Sequence, residues 1–196
     1  MLVVALIYQA QGRVRMIGVS NFSRTNLERI MRNAMIPPSV VQVEVHPYWR
    51  QEKLLAFCEQ KEMHVTAYSA LGSADSESLL KRPSKRLLDD PVVQRVAERE
   101  GIEKAQALII WGLQKRPESS LLCKSVTTHR IDSNLSSVRM RLGEISMEEL
   151  SSLHYQRRMV DGSVFLNPSG PYKCLADLWD RGEEGVPPNE LNALQC

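Results

Sequence analysis

The 196-residue chain has no strong excess of charge of either sign, few cysteines, few aromatics and no long apolar run. Each shortage narrows the function. A formal net charge of +2 from 25 basic and 23 acidic residues, with the basic ones scattered, gives no electrostatic footprint for nucleic acid. The four cysteines (Cys58, Cys123, Cys174 and Cys196) have neither metal-ligand nor CxxC spacing. No metal site is expected; the cysteines read as reduced thiols of a cytoplasmic protein, and a disulfide framework is not expected. The longest apolar run, Leu2–Tyr8, is far short of the roughly 20 residues of a membrane span. It also has no basic stretch before it, so it does not read as a signal peptide. A helix packed on a sheet would interrupt such a run with polar residues at helical spacing. None come before Gln9, so residues 1–10 are set apart as an atypical start.

What is present is ordinary for a globular protein: 43% hydrophobic and 24% charged residues. Four short apolar runs each end in a small polar cluster: MIGVSNF (Met16–Phe22), VVQVEVHPYW (Val40–Trp49), HVTAYSALGS (His64–Ser73) and SSLLCKSVTTHR (Ser119–Arg130). Stretches with helical periodicity lie between them. A strand, a polar loop and a helix, repeated, describe βα units of a parallel sheet. The expected fold is therefore α/β: four parallel βα units, equivalent to the carboxyl-terminal half of a (β/α)8 TIM barrel, plus a carboxyl-terminal loop extension. Residues 11–142 form the half barrel, and residues 143–196 a helix and tail. Ligands collect at the carboxyl ends of such strands, where Ser20, Asn21, Gln42, Tyr68, Ser69 and Lys124 fall.

The helices carry start signals. Ser23 or Thr25 can cap the first, with Leu27, Ile30 and Met31 on one face. The second spans about Gln51–Glu62 and buries Leu54, Leu55 and Cys58. Asp90 and Pro91 open the third, which stops near Gly101; Val92, Val93, Val96 and Ala97 form its stripe. A fourth covers about Ala105–Gln114 and another begins at Thr128. Ser146 with Glu149 caps a further helix that runs to about Gln156. After Val160, Gly, Pro and Ser with isolated aromatics read as a long surface extension.

At these motifs the chain resembles an aldo-keto reductase, of the soluble NADPH-dependent plant-type and aldose/aldehyde reductase kind. GRVRMIGVSNFS is similar to the family's fifth strand and loop, QVEVHPYW to its sixth, TAYSALGS to its seventh, and LLCKSVTTHRIDSN to its eighth strand with the cofactor loop. FLNPSGPYKCLADLWD resembles the loop that closes over the substrate. The resemblance implies an NADP(H) site. Ser20, Asn21 and Gln42 would bond the nicotinamide carboxamide, supplying both donors and acceptors. Tyr68 would stack under the ring. Ser69, Leu71 and Ser73 would fold over the pyrophosphate. Lys124, Ser125, Val126 and Thr127 would hold the 2′-phosphate, with Arg130 laid along the adenine and Asn134 at its amine.

Taken one at a time, these residues have plainer readings. Ser20–Phe22 could be a turn and helix cap, Gln42 a buried amide satisfied by backbone, Tyr68 a core aromatic and Lys124 a solvated charge. The order and separation of the motifs favour the cofactor site. His46 and Tyr48 share a loop but are read as structural, as are His64, His129 and His154.

The resemblance also implies that carbonyls, the expected substrates, are reduced by hydride transfer while a tyrosine protonates the alkoxide, tuned by a lysine and an aspartate, with a histidine orienting the carbonyl. Those four belong to the family's first four strands. This sequence is therefore expected to carry no catalytic residue of its own: a truncated reductase, an inactive NADP(H)-binding or regulatory module, or a truncated isoform without function. Open strand edges and an unpartnered apolar inner face predict self-association or pairing with an amino-terminal half barrel. Cys123 and Ala70 stand where the family has proline, Ser133 where it has an acidic residue, and Ile110 where it has arginine.

Overall fold

The structure, a computed structural model, describes residues 7–73, 86–116 and 118–179. Four parallel strands make one sheet in chain order: β1 (Gly18–Ser20), β2 (Val40–Glu44), β3 (His64–Tyr68) and β4 (Ser119–Leu121). A strictly sequential order means every crossover steps to the next neighbour, and right-handed crossovers then put all the helices on one face. Along the sheet, Val19, Val41 and Val65 stand in register, and Ser20, Gln42, Thr66 and Ser120 form the next row on the opposite face.

The core lies on the helix side. Val41, Val43, Val65 and Ala67 are buried there against Leu27 of α1 (Arg24–Asn33), Leu54 and Cys58 of α2 (Glu52–Gln60), Val93 and Val96 of α3 (Pro91–Glu100), and Leu108, Ile110 and Trp111 of α4 (Lys104–Lys115). This overturns the expected unpartnered apolar face. The face away from the helices is half-exposed and largely polar: His64, Thr66 and Ser120 are hydrogen-bonded across it at 2.9 Å. Period-2 alternation sends Val41, Val43 and Val65 one way and Gln42, His64 and Thr66 the other.

Most caps stand where the sequence places them. Ser23 caps α1 by accepting from the Asn26 N–H. Asp90 caps α3 with Pro91 at its first position, and Gly101 ends it at φ 65°, a left-handed turn suited to glycine. Glu103 and Gln106 form a capping box on α4. Next come α5 (Thr128–Ser136) and α6 (Glu144–Ser151).

The α6 boundaries are a correction. Gly143, not Ser146, is the N-cap, and the helix ends five residues short of Gln156. Ser146 sits within the first turn, where its buried hydroxyl donates to Glu100 of α3 at 2.5 Å. Glu149 reaches Arg99 at 2.7 Å and does not serve a cap. The chain then turns inward and buries Leu153.

The segment after Val160 is not all surface. Asp161 and Trp179 are buried, the latter just past α7 (Leu175–Leu178). Gly162 has φ 80°, and a Cβ there would lie 2.3 Å from Leu178. Cys58 and Cys123 are free thiols, but Cys174 is disulfide-bonded, so the reduced-thiol expectation fails for this tail cysteine. Residues 7–10 are helical; the rest of the amino-terminal apolar run lies outside the described residues. Among the described residues, no helix is long and apolar enough to cross a membrane.

Candidate functional site

The carboxyl ends of the strands build the site. β1 ends at Ser20, and Asn21 follows at φ 57°, its backbone N–H donating to the Gln42 carbonyl at 2.9 Å. β3 ends at Tyr68, and Ser69 follows at φ 55°, with Ser73 at φ 45°. The hydroxyls of Ser73 and Ser69 are hydrogen-bonded to each other. Non-glycine residues with positive φ are uncommon and concentrate where the surrounding structure forces them, as at ligand sites. Three of the five among the described residues are expected site residues.

Ten of the thirteen expected cofactor residues line one cavity of about 1440 Å³. From β3 and its loop come Tyr68, Ser69, Leu71 and Ser73; from the segment after β4 come Lys124, Ser125, Val126 and Thr127; from α5 come Arg130 and Asn134. The spacing explains the last group. Thr127, Arg130 and Asn134 are three and four residues apart, so they share one face of α5. Thr127 is also the residue before the first turn of α5, so the positive end of that helix opens on the same cavity. The Ser125 hydroxyl accepts from the Thr127 N–H at 3.2 Å and folds the loop.

The other three, Ser20, Asn21 and Gln42, do not line the cavity but border it. Ser20 pairs with Gln42 in register, and the Tyr68 hydroxyl donates to Asn21 Oδ1 at 2.9 Å. Tyr68 is thus neither a core aromatic nor isolated. Burial, and then the charge of Glu44, push its phenol up to about 12, against the smaller effects of Arg158 and Asn21. It is neutral at ordinary pH.

The four positions where the resemblance leads one to expect another residue are exposed and buried alike. Cys123 lines the cavity beside Lys124, with burial holding its thiol above the ordinary range. Ala70 is buried, and Ile110 is a fully buried member of the core. The Ser133 carbonyl accepts from Gln106 of α4 at 3.1 Å.

His46 and Tyr48 are both wholly buried. His46 Nε2 lies 2.8 Å from Glu44 Oε1, and the Tyr48 hydroxyl donates to Asp90 Oδ2 at 2.5 Å. Burial first, then the Asp90 carboxylate, raise the Tyr48 phenol far above its ordinary value. Both side chains are committed to partners inside the fold. Among the described residues, no cluster of His, Cys, Asp or Glu could hold a metal ion.

Two groups escaped the sequence analysis. One is the far wall of the cavity, from Arg86, Asp89, Glu98, Glu103 and Lys104, with Lys104 Nζ 3.7 Å from Asp89 Oδ1. The α3 stripe was legible, but the spacing did not say that its polar side would wall a ligand site. The other is Glu44 with its partners. Its signal was a second polar residue two positions after Gln42 on the same face of an apolar strand.

Comparison with known proteins agrees with this architecture. The model of the Aldo/keto reductase family matches residues 6–154. An aldo/keto reductase of Synechocystis is 38% identical over 165 residues, covering 84% of this chain and 50% of its own length. Aldo-keto reductase family 4 member C11 of Arabidopsis thaliana is 37% identical over 170 residues, covering 86% and 52%. The aldose reductase structure from Giardia lamblia superposes with a TM-score of 0.73 at 26% identity, covering 82% of this chain and 52% of that one. The chain belongs to the aldo/keto reductase family. It spans about half the length of the curated relatives it matches.

Proposed function

We propose that this chain is the cofactor-holding, carboxyl-terminal half barrel of an NADP(H)-dependent carbonyl reductase and carries no proton donor for the reaction. The observation that supports this most is the gathering of ten expected cofactor residues around one cavity. The donor set fits a dinucleotide phosphate: an ammonium and a guanidinium, two hydroxyls and a helix N-terminus on one wall. The cavity exceeds the 300–1,000 Å³ common for small ligands, as a dinucleotide requires.

Lys124 and Arg130 would hold the 2′-phosphate, and the planar guanidinium would also lie along the adenine. Ser69, Leu71 and Ser73 would cover the pyrophosphate. Ser20, Asn21 and Gln42 would orient the carboxamide, with Asn21 fixed by its bond from Tyr68. Tyr68, held neutral, offers a ring face without adding charge. The bound cofactor would supply a hydride for reducing an aldehyde or ketone to an alcohol.

Protonation of the alkoxide left by hydride transfer is the step these residues do not provide. His46 and Tyr48 are buried and committed to Glu44 and Asp90. General-acid assistance is worth about 10²–10⁴-fold, so the chain alone should oxidise NADPH at or near background when given an aldehyde. The same burial favours a second reading, a binding or regulatory module without turnover. Aldehyde-dependent NADPH oxidation by the purified chain is the test. Steady turnover lost in Tyr48→Phe would contradict the proposal.

A further inference from the structure

Glu44 is a wholly buried acid that the cofactor site does not use. It ends β2, in register with Tyr68 at the end of β3, so it stands beside the proposed nicotinamide end of the site. Its carboxylate reaches 115 residues along the chain. Oε1 accepts from the Met159 N–H at 2.5 Å and Oε2 from the Val160 N–H at 3.0 Å, while His46 Nε2 lies 2.8 Å from Oε1. Burial raises the pKa of such a group. Here the hydrogen bond and charge of His46, the charge of Arg158 and the Val160 N–H outweigh burial and hold the acid below the ordinary carboxylate range. The residue before this clasp, Arg158, lies over two indoles, 4.8 Å from the Trp49 ring centre and 3.7 Å from that of Trp179. The Trp179 indole N–H in turn donates to the Asp161 carbonyl at 2.7 Å.

We propose that Glu44 is a positioning residue that clasps the backbone at Met159 and Val160 and so fixes residues 158–179 as a wall beside Tyr68 and Asn21. A carbonyl substrate would meet that wall, so its shape depends on one carboxylate from β2. The clasp uses both carboxylate oxygens. Glutamine offers one acceptor oxygen and no charge, whereas hydrogen bonds to an ionised acceptor are roughly twice as strong as neutral ones. The part about substrate rests on the proposed cofactor site; the clasp itself does not.

Trypsin cleavage of the full chain after Arg157 and Arg158 reads the docking of this segment, and cleavage after the exposed Lys61 reports the rest of the fold. Glu44→Gln should speed cleavage at the two tail bonds about ten-fold, the loss of one charge-assisted bond, and leave the Lys61 rate unchanged. Glu44→Asp keeps the charge and both oxygens and should return the tail rates to within about three-fold of the parent. Unchanged tail rates in Glu44→Gln, equal acceleration at Lys61, or an Asp variant no better than Gln would overturn the proposal. If Glu44→Gln does not fold, Val160→Pro removes the N–H that Oε2 accepts without touching β2; selective tail cleavage there supports the clasp, and unchanged cleavage overturns it. A parent chain that binds no NADPH would sink the cofactor site alone and leave the protease result standing.

Discussion

Tyr48 shows how little a side chain's type says about its role until its partner is known. Beside His46 in the loop after β2, it has the composition of an acid/base pair. In the fold its hydroxyl instead ties that loop to Asp90, the residue that caps α3. Removing the hydroxyl in Tyr48→Phe deletes a buried bond to a charged acceptor, which should cost about 1.5–3 kcal/mol of stability in chemical denaturation. Cofactor affinity should not change. The raised phenol adds a pH signature: a group whose folded pKa lies above its unfolded value stabilises fully below the unfolded value and loses that contribution as pH rises past it. Stability should therefore fall as pH climbs above about 10, where the unfolded phenol ionises, and Tyr48→Phe should flatten the fall. An unchanged slope would show that the phenol does not titrate differently in the folded chain.

The elements were legible where local chemistry decides them. Ser23, the Asp90–Pro91 pair and Gly101 are local signals, and the structure uses all three. The α6 boundaries were misread because the Ser146 hydroxyl was assigned to the nearest backbone, while Glu100 on α3 takes it. The tail was misread for the same reason: Gly, Pro and Ser mark irregular chain, and irregular chain is packed when a buried acid such as Glu44 receives its N–H groups. Of the site, the two loops and the α5 face were legible from motif order, and the α3–α4 wall was not, because only tertiary packing brings it near. Glu44 also predicts acid behaviour at this scale. Its folded pKa is depressed, so its contribution is complete above the unfolded carboxylate range, near about 4.3, and fades as pH drops below it. Acid unfolding monitored by tryptophan fluorescence should be less steep in Glu44→Gln; identical profiles would contradict that contribution.

At the scale of the molecule, the fold is a one-sided sheet: helices and core against the valines, and a half-exposed polar face opposite. All-parallel sheets are normally covered on both faces, and β1 and β4 are edge strands that can template association. Because the open face is polar, association is expected through those edges and through hydrogen bonds from the face, with little hydrophobic drive. Sedimentation should show a dimer or larger species, or a monomer that gains stability when the other half of a family barrel is added. Val40→Lys, a charge on the open face, should shift the sample toward monomer. A compact monomer that ignores an added half barrel would contradict this. The proposed function depends on the cofactor site, and calorimetric titration of the purified chain with NADPH and with NADH tests it most directly. The account predicts saturable NADPH binding at least about ten-fold tighter than NADH, from charge-assisted bonds worth about 1.5–3 kcal/mol each to the 2′-phosphate. In Arg130→Ala the NADPH affinity should fall toward that of NADH, and equal affinities in the parent chain, or no binding of either, would contradict the account.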